Sequence, residues 1–300
     1  MPVPPTRPVP LRGRVFRGST VVRQGLLTPK QLRSSAWVRL RQDVYADASL
    51  PVTHRLLVSA VGLVLPEGAG FAGRSAAVLW GVPDLAGPGD PVEVVLPAGR
   101  RWNAGPGVRV RELLPGQRLV PRGRWRCLSP AGTAADLVRF GDRDEAVGLL
   151  DRLVREGLTS LAHVRAAVAA LPPCRGSAQA RWVASAADGL AESPQETRVR
   201  LLLRRAGLLP PVAQFRVFDD AGFVARVDFA YPDLRLAIEY DGLWHADRTA
   251  FLSDRRQHNR LTAAGWVVLH VTVEDLNRPE RLVARLRALI AARLGTANTR

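Results

Sequence analysis

The chain has 300 residues and a mass of 32.7 kDa, more than one hydrophobic core usually organises, so two or three domains are expected and a single small module is excluded. Hydrophobic residues at 47% and charged residues at 23% are ordinary globular usage and argue against wholesale disorder. The formal net charge of +16 points to polyanionic partners, nucleic acid first, although charge governs association and not fold.

Residues 1 to 10 carry Pro2, Pro4, Pro5, Pro8 and Pro10, the composition of an extended, disordered tail, and they lack the apolar stretch of a signal peptide. Arg7, Arg12, Arg14, Arg17, Arg23, Lys30, Arg33, Arg39 and Arg41 all precede the first acid, Asp43, and make a cationic arm. Lys30 is the only lysine, a bias that the codon usage of a GC-rich genome also produces. Ser19 to Gln24 predicts a short helix stopped by Gly25, and Thr28-Pro29 opens a second over Lys30 to Ser35. Trp37 to Arg41 alternates into Asp43-Val44-Tyr45, which reads as the wing of a winged helix or as part of a small helical cap on the next domain. Residues 11 to 50 are thus expected to be a winged-helix-like DNA-binding region, with Arg33, Arg39 and Arg41 on nucleic acid.

Residues 51 to 175 predict a mixed α/β region. His54 to Leu65 and Ser75 to Trp80 read as helices, Val92 to Leu96 and Val108 to Leu113 as strands, and Thr133 to Phe140, Asp144 to Glu156 and Ser160 to Leu171 as helices again. Trp102 and Trp125 stand among Arg100, Arg101, Arg122, Arg124 and Arg126, a pattern that serves base stacking or places tryptophan under arginine stems. Cys127 and Cys174 are too few for a disulfide framework and have no zinc-type spacing. Pro172-Pro173 and the small residues from Ser177 to Ala191 predict a linker over 176 to 192. A last domain then spans 193 to 300. It holds 17 basic against 12 acidic side chains, and the chain before it 26 against 15. No run of about 18 uncharged apolar residues occurs, so no membrane span is expected and the chain reads as cytoplasmic.

The last domain carries the chemistry. Ser193-Pro194-Gln195-Glu196 is a capping box that starts a helix ended by Gly207. Gln214 to Phe218 and Phe223 to Tyr231 predict a hairpin in which Phe223, Ala225, Val227, Phe229 and Tyr231 share one face and Arg226 and Asp228 the other. A further turn at Pro232-Asp233 leads to Leu236 to Tyr240. Centred between Asp233 and Leu234, it pairs Phe229 with Ile238, Val227 with Tyr240 and Asp228 with Glu239. That register sets the Asp228 and Glu239 Cβ atoms roughly 5 Å apart, a repulsive arrangement unless a cation lies between them. Mg²⁺ (or Mn²⁺) accepts such a half-shell and fills the rest with water and phosphate oxygens. Asp241 and His245 are placed to orient or deprotonate an attacking water, and Glu196 to reach the site from its helix. Each also has a plainer role: Glu196 as a cap, Asp228 as a solvated strand residue, Glu239 and Asp241 as an acidic strand end. His54, His163, His258 and His270 show no ligand spacing. Ala250 to Ala264 predicts a helix whose Arg255 and Arg256 clamp phosphates, Trp266 to Val273 a strand buried on both faces, and Pro279 to Leu294 an amphipathic helix.

Ser193-Pro194-Gln195-Glu196, Arg226-Val227-Asp228-Phe229, Ile238-Glu239-Tyr240-Asp241-Gly242 with His245, and Asp254-Arg255-Arg256 together resemble the family related to very-short-patch-repair endonucleases in the PD-(D/E)xK superfamily. The resemblance covers about residues 193 to 295. It implies a core of helix, three-stranded meander, helix, strand and helix within an α/β, multidomain (α+β) chain. It also implies Asp228 and Glu239 as metal ligands, Glu196 as the helix-borne acid, and Mg²⁺-dependent cleavage of DNA. Asp241 stands where the superfamily usually has lysine, and Val227 where it has proline. The first 170 residues, through Arg41-Gln42-Asp43-Val44-Tyr45-Ala46 and Ser129-Pro130-Ala131-Gly132-Thr133-Ala134-Ala135-Asp136-Leu137, resemble the N-terminal region of AbiEi-type antitoxins. That likeness implies a DNA-binding winged helix and a toxin as partner. Two functions follow as expectations: a metal-dependent DNA endonuclease, or a DNA-binding regulator or antitoxin whose nuclease fold is weak or inactive.

Overall fold

The computed structural model describes residues 7–242 and 248–297, with the side chains of 248–255 and 296–297 excepted. The fold is mixed α/β and multidomain. Its contacts divide it into two compact units, Met1–Arg139 with Leu158–Arg181, and Phe140–Gly157 with Trp182–Arg300. No helix among the described residues is long and apolar enough to cross a membrane.

The first unit opens with β1 (Val15–Arg17), α1 (Gly18–Arg23), β2 (Trp37–Arg41) and β3 (Val44–Asp47). The strands form an antiparallel sheet in the order β1-β3-β2. Phe16, Val21, Leu27, Leu32 and Trp37 bury together beneath it, with the Phe16 and Trp37 rings edge to face at 5.1 Å. The second predicted helix shrinks to a single 3₁₀ turn, Gln31–Arg33. Thr28 and Gln31 cap each other reciprocally, Thr28 N donating to Gln31 Oε1 at 2.8 Å and Gln31 N to Thr28 Oγ1 at 3.2 Å. Ser34 then leaves the helical region, because Ala36 and Trp37 must reach the core on an extended chain.

The unit continues with α2 (His54–Gly62), β4 (Gly70–Phe71), α3 (Gly73–Trp80), β5 (Val92–Leu96), β6 (Val108–Glu112), β7 (Leu119–Arg122), β8 (Trp125–Leu128) and α4 (Pro130–Leu137). Past α5 (Arg143–Arg155), which belongs to the second unit, come α6 (Leu161–Ala169) and α7 (Ser177–Ala186). The strands make one mixed sheet, β6-β5-β4-β8-β7, with β5 buried at every residue. A buried ionic cluster ties it to the helices. Arg111 reaches Asp136 at 2.6 and 2.8 Å and Glu93 at 3.1 Å, and Asp136 also accepts from Gly73 N at 3.1 Å. Gly73 has φ +51°, and a Cβ there would lie 1.9 Å from Glu93 Oε2, so the position requires glycine. The segment expected as a linker, 176 to 192, is helical over α7, and the division between the units falls within that helix. Its Ser177-Ala178 to Ala186-Ala187 stretch is alanine-rich, and alanine is the best helix former as well as a small linker residue.

In the second unit α5 packs on α8 (Pro194–Arg205). After them come β9 (Val212–Asp219), β10 (Gly222–Tyr231), β11 (Leu236–Tyr240), α9 (Arg248–Ala263), β12 (Val267–Val271), α10 (Val273–Asn277) and α11 (Pro279–Ala297). The sheet order is β12-β11-β10-β9, antiparallel except for the parallel β11–β12 pair. Val199 and Leu203 of α8 and Leu282 and Leu286 of α11 cover one face, with Phe229, Tyr231, Leu236 and Ile238 beneath them. Leu261 of α9 covers the other, with Val217, Ala225, Val227, Ala230 and Ala237. Phe229 pairs with Ile238, Ala230 with Ala237 and Tyr231 with Leu236, the register set by the turn.

The expected alternation along β10 fails at one point. Ala225 and Val227 pack under α9, whereas Phe229 and Tyr231 pack under α8 and α11. The reversal lies between the Val227–Phe215 and Phe229–Ala213 pairs. It brackets Asp228 and Gln214, and Gln214 has φ +52°, the left-handed backbone that rotates a strand's faces. The sequence pattern does not betray it, because large apolar residues remain two apart on either side.

Candidate active site

Ser193 Oγ accepts from Glu196 N at 3.2 Å, so the capping box starts α8 at Pro194. The returning bond differs from the ideal motif. Glu196 Oε2 accepts from Glu192 N at 2.8 Å and from Gln214 Nε2 at 3.0 Å, which ties the helix start to β9. Glu196 is only 6% exposed. Burial raises its pKa above the ordinary carboxylate value against the Glu192 amide bond, and the negative charge of Asp228 adds to the rise.

Asp228 stands at the strand reversal, half-buried. Its Oδ2 accepts from Tyr240 N at 2.8 Å. The ladder with β11 therefore stops at Phe229, and the expected Val227–Tyr240 and Asp228–Glu239 pairs give way to a side-chain bond that takes the next amide. Burial raises the Asp228 pKa, opposed by the Tyr240 bond, and the charges of Glu192 and Asp241 push it further up. The four acids Glu192, Glu196, Asp228 and Asp241 thus share one electrostatic neighbourhood.

Glu239 and Asp241 lie at the C-terminal end of β11. The parallel neighbour β12 sets His270 beside Glu239. His270 Nδ1 is 3.1 Å from Asp241 Oδ2 and 3.9 Å from Glu239 Oε2. Nothing in the local sequence selects His270. It is linked to the acids only by parallel pairing across the intervening helix α9, and a half-exposed position in β12, expected to be buried on both faces, was the one available signal. Arg226 sits beside the acids with Nη2 2.7 Å from Glu192 Oε2.

The remaining expected residues are dispersed. His245 lies outside the described residues, as does the side chain of Arg255, and Arg256 is exposed on α9. Arg33 and Arg39 are exposed in the first unit. Arg41 is instead drawn inward, its Nη2 donating to Ala104 O and its guanidinium 5.8 Å from the Trp102 ring centroid. Burial lowers its pKa. Trp102 and Trp125 pack against the first-unit core, with Trp125 edge to face on Phe71 at 6.3 Å and Arg124 over its ring at 4.7 Å. They support the packing alternative over base stacking.

Among the described residues no group of three His, Cys, Asp or Glu side chains is arranged to hold a metal ion. The expected pairing of Asp228 with Glu239 is not formed, and burial with neighbouring negative charge raises the pKa of Asp228 and Glu196.

No protein-family model matches the chain. Two uncharacterised Mycobacterium tuberculosis proteins, MT2308 and Rv2248, are each 37% identical to it over 200 residues, which is 63% of this chain and 73% of theirs. The crystal structure of the RV2827C protein from the same organism superposes with a TM-score of 0.42 at 16% identity, over 69% of this chain and 84% of that one.

Proposed function

The chain belongs to the family of those two mycobacterial proteins, and we propose that its second unit is a metal-dependent nuclease of the PD-(D/E)xK kind that hydrolyses phosphodiester bonds in DNA. One observation carries the reading: Glu196 at a helix start and Asp228 at a strand reversal share an electrostatic neighbourhood with Glu192 and Asp241, and burial and that negative charge oppose the ionisation of Glu196 and Asp228. Asp228 and Glu239 would hold Mg²⁺ or Mn²⁺. The bound ion would supply charge neutralisation for the phosphate and a more acidic water. Asp241 fixes His270 Nδ1 as the proton donor of that pair, which leaves Nε2 as the basic nitrogen able to take a proton from water. Glu196 holds the start of α8 against β9. In the first unit, the β1-β3-β2 sheet with α1 and the Thr28–Arg33 turn would act as a winged-helix-like module, and Arg33 and Arg39 would meet DNA phosphates from it.

Supercoiled plasmid incubated with the full chain and Mg²⁺ or Mn²⁺ tests this directly. Nicking is expected, with background rates in Asp228→Asn and Glu239→Gln; no nicking of any DNA form contradicts it. A second reading, a DNA-binding regulator or antitoxin with an inactive nuclease fold and a toxin as partner, is favoured by Asp241 at the usual lysine position. It expects salt-sensitive DNA binding, unaltered by both substitutions, with no cleavage.

A further inference from the structure

The β9–β10 hairpin outruns the rest of its sheet. Pairing with β11 stops at Phe229, while pairing with β9 continues to Gly222. One face of this arm is buried, Phe215, Val217, Ala225 and Val227 lying with Leu261 of α9. The other face is open. At its tip Phe218 pairs with Phe223, and further in Arg216 pairs with Arg226. The two rings are 60% and 47% exposed and meet edge to face at 5.8 Å. Arg216 reaches over the Phe223 ring at 5.1 Å, which places aromatics and guanidinium on the same face. The next positions inward are Gln214 and Asp228. From tip to acidic centre the strip runs about 17 Å at strand spacing.

Such an arrangement costs the isolated protein something at each step. Large rings stand in water, and two arginines pair across the strands, Arg216 over the Phe223 ring and Arg226 held by Glu192 at 2.7 Å. The tip is nevertheless held in one shape. Arg260 clasps Asp219 at 2.7 and 2.8 Å and the Phe223 carbonyl at 3.1 Å, and Asp219 Oδ1 caps the turn at Ala221 N, 2.9 Å away. A rigid pair of ring faces followed by cations is complementary to a strand with unpaired bases, which offers π-faces and phosphates at short spacing. A closed duplex stacks those base faces internally and offers only the phosphates.

We infer that the open face of the β9–β10 arm is a binding site for single-stranded DNA, in which bases stack on Phe218 and Phe223 and phosphates lie on Arg216 and Arg226. This deepens the nuclease reading and rests on it only in the direction of the strand, which leads to Asp228; the binding itself needs no metal. The test is run on the full chain in chelator. A thymine-rich 20-mer carrying 5-iododeoxyuridine is photo-crosslinked and the adducts mapped, and its affinity is measured by fluorescence anisotropy. An adduct within the tryptic peptide 217–226 is expected. Phe218→Ala with Phe223→Ala should weaken binding about tenfold with an unchanged salt slope. Arg216→Gln, which leaves both rings, should lower that slope by about one, and Phe218→Tyr with Phe223→Trp should retain affinity. Adducts confined to other peptides, or equal affinity of the double alanine variant, overturn the site. Stronger binding and crosslinking of an RNA 20-mer there overturns the choice of DNA. Because chelator removes cleavage from the measurement, an inactive nuclease centre would show itself only in the plasmid assay.

Discussion

Asp228 is held in the fold against its own charge. Burial, Glu192 and Asp241 favour its neutral form and outweigh the Tyr240 amide and the Arg226 charge, which favour the ion. A carboxyl whose folded pKa is raised contributes stability below the unfolded value, near 4, and that contribution is lost as pH rises through the folded value. At pH 7.5 the ionised group therefore destabilises the unit. Asp228→Asn keeps an oxygen to accept from Tyr240 N and should raise the melting temperature at pH 7.5 by about 2–4 °C per kcal/mol relieved. Differential scanning calorimetry should show the gain shrinking as pH falls towards 4. A stabilising substitution that abolishes nicking is the signature of a residue kept for chemistry. His270 makes a second prediction at this scale. With Asp241 on Nδ1, His270→Ala should slow plasmid nicking at least about a hundredfold. Asp228 and Glu196 were legible in the sequence because a capping box and a strand pattern place them. His270 was not, because nothing local records a parallel pairing.

Helix α8 brings Glu196 to the site, and Asp151 of α5 holds that helix. It is 1% exposed, and it accepts from Thr197 Oγ1 at 2.9 Å, Arg200 Nη2 at 2.5 Å, and the Asp188 and Gly189 amides at 2.9 and 2.8 Å. Asp151→Ala would leave the Thr197 hydroxyl and two amides without their acceptor and Arg200 with Asp188 alone as its carboxylate, a loss of about 3–5 kcal/mol readable in urea unfolding. Asp151→Asn should cost less, since it still accepts. The elements themselves were legible where period and punctuation agree, as in α8, the β9–β11 meander and α11. They were not legible where strands are short and interrupted. β4 is Gly70–Phe71 alone, and β7 contains Pro121; each exists because a neighbour supplies the ladder. The face reversal at Asp228 depends on a left-handed Gln214, a residue type with no special claim on that conformation.

Across the whole molecule, the net charge of +16 and its concentration before Ser193 were readable from composition, but which arginines face solvent was not. Arg33 and Arg39 are open, whereas Arg41 is drawn onto Ala104 and Trp102. Arg33→Ala with Arg39→Ala should weaken duplex binding uniformly across sequences and lower the salt slope by about two, with unchanged thermal stability. Arg41→Ala should instead lower the melting temperature.

We propose that carboxylates on neighbouring strands hold one divalent ion. Calorimetric titration of the full chain with Mn²⁺ at pH 7.5 tests it most directly. One site is expected in the native chain and none in Asp228→Asn or Glu239→Gln. Absence of binding to the native chain, or a site that survives both substitutions, contradicts it.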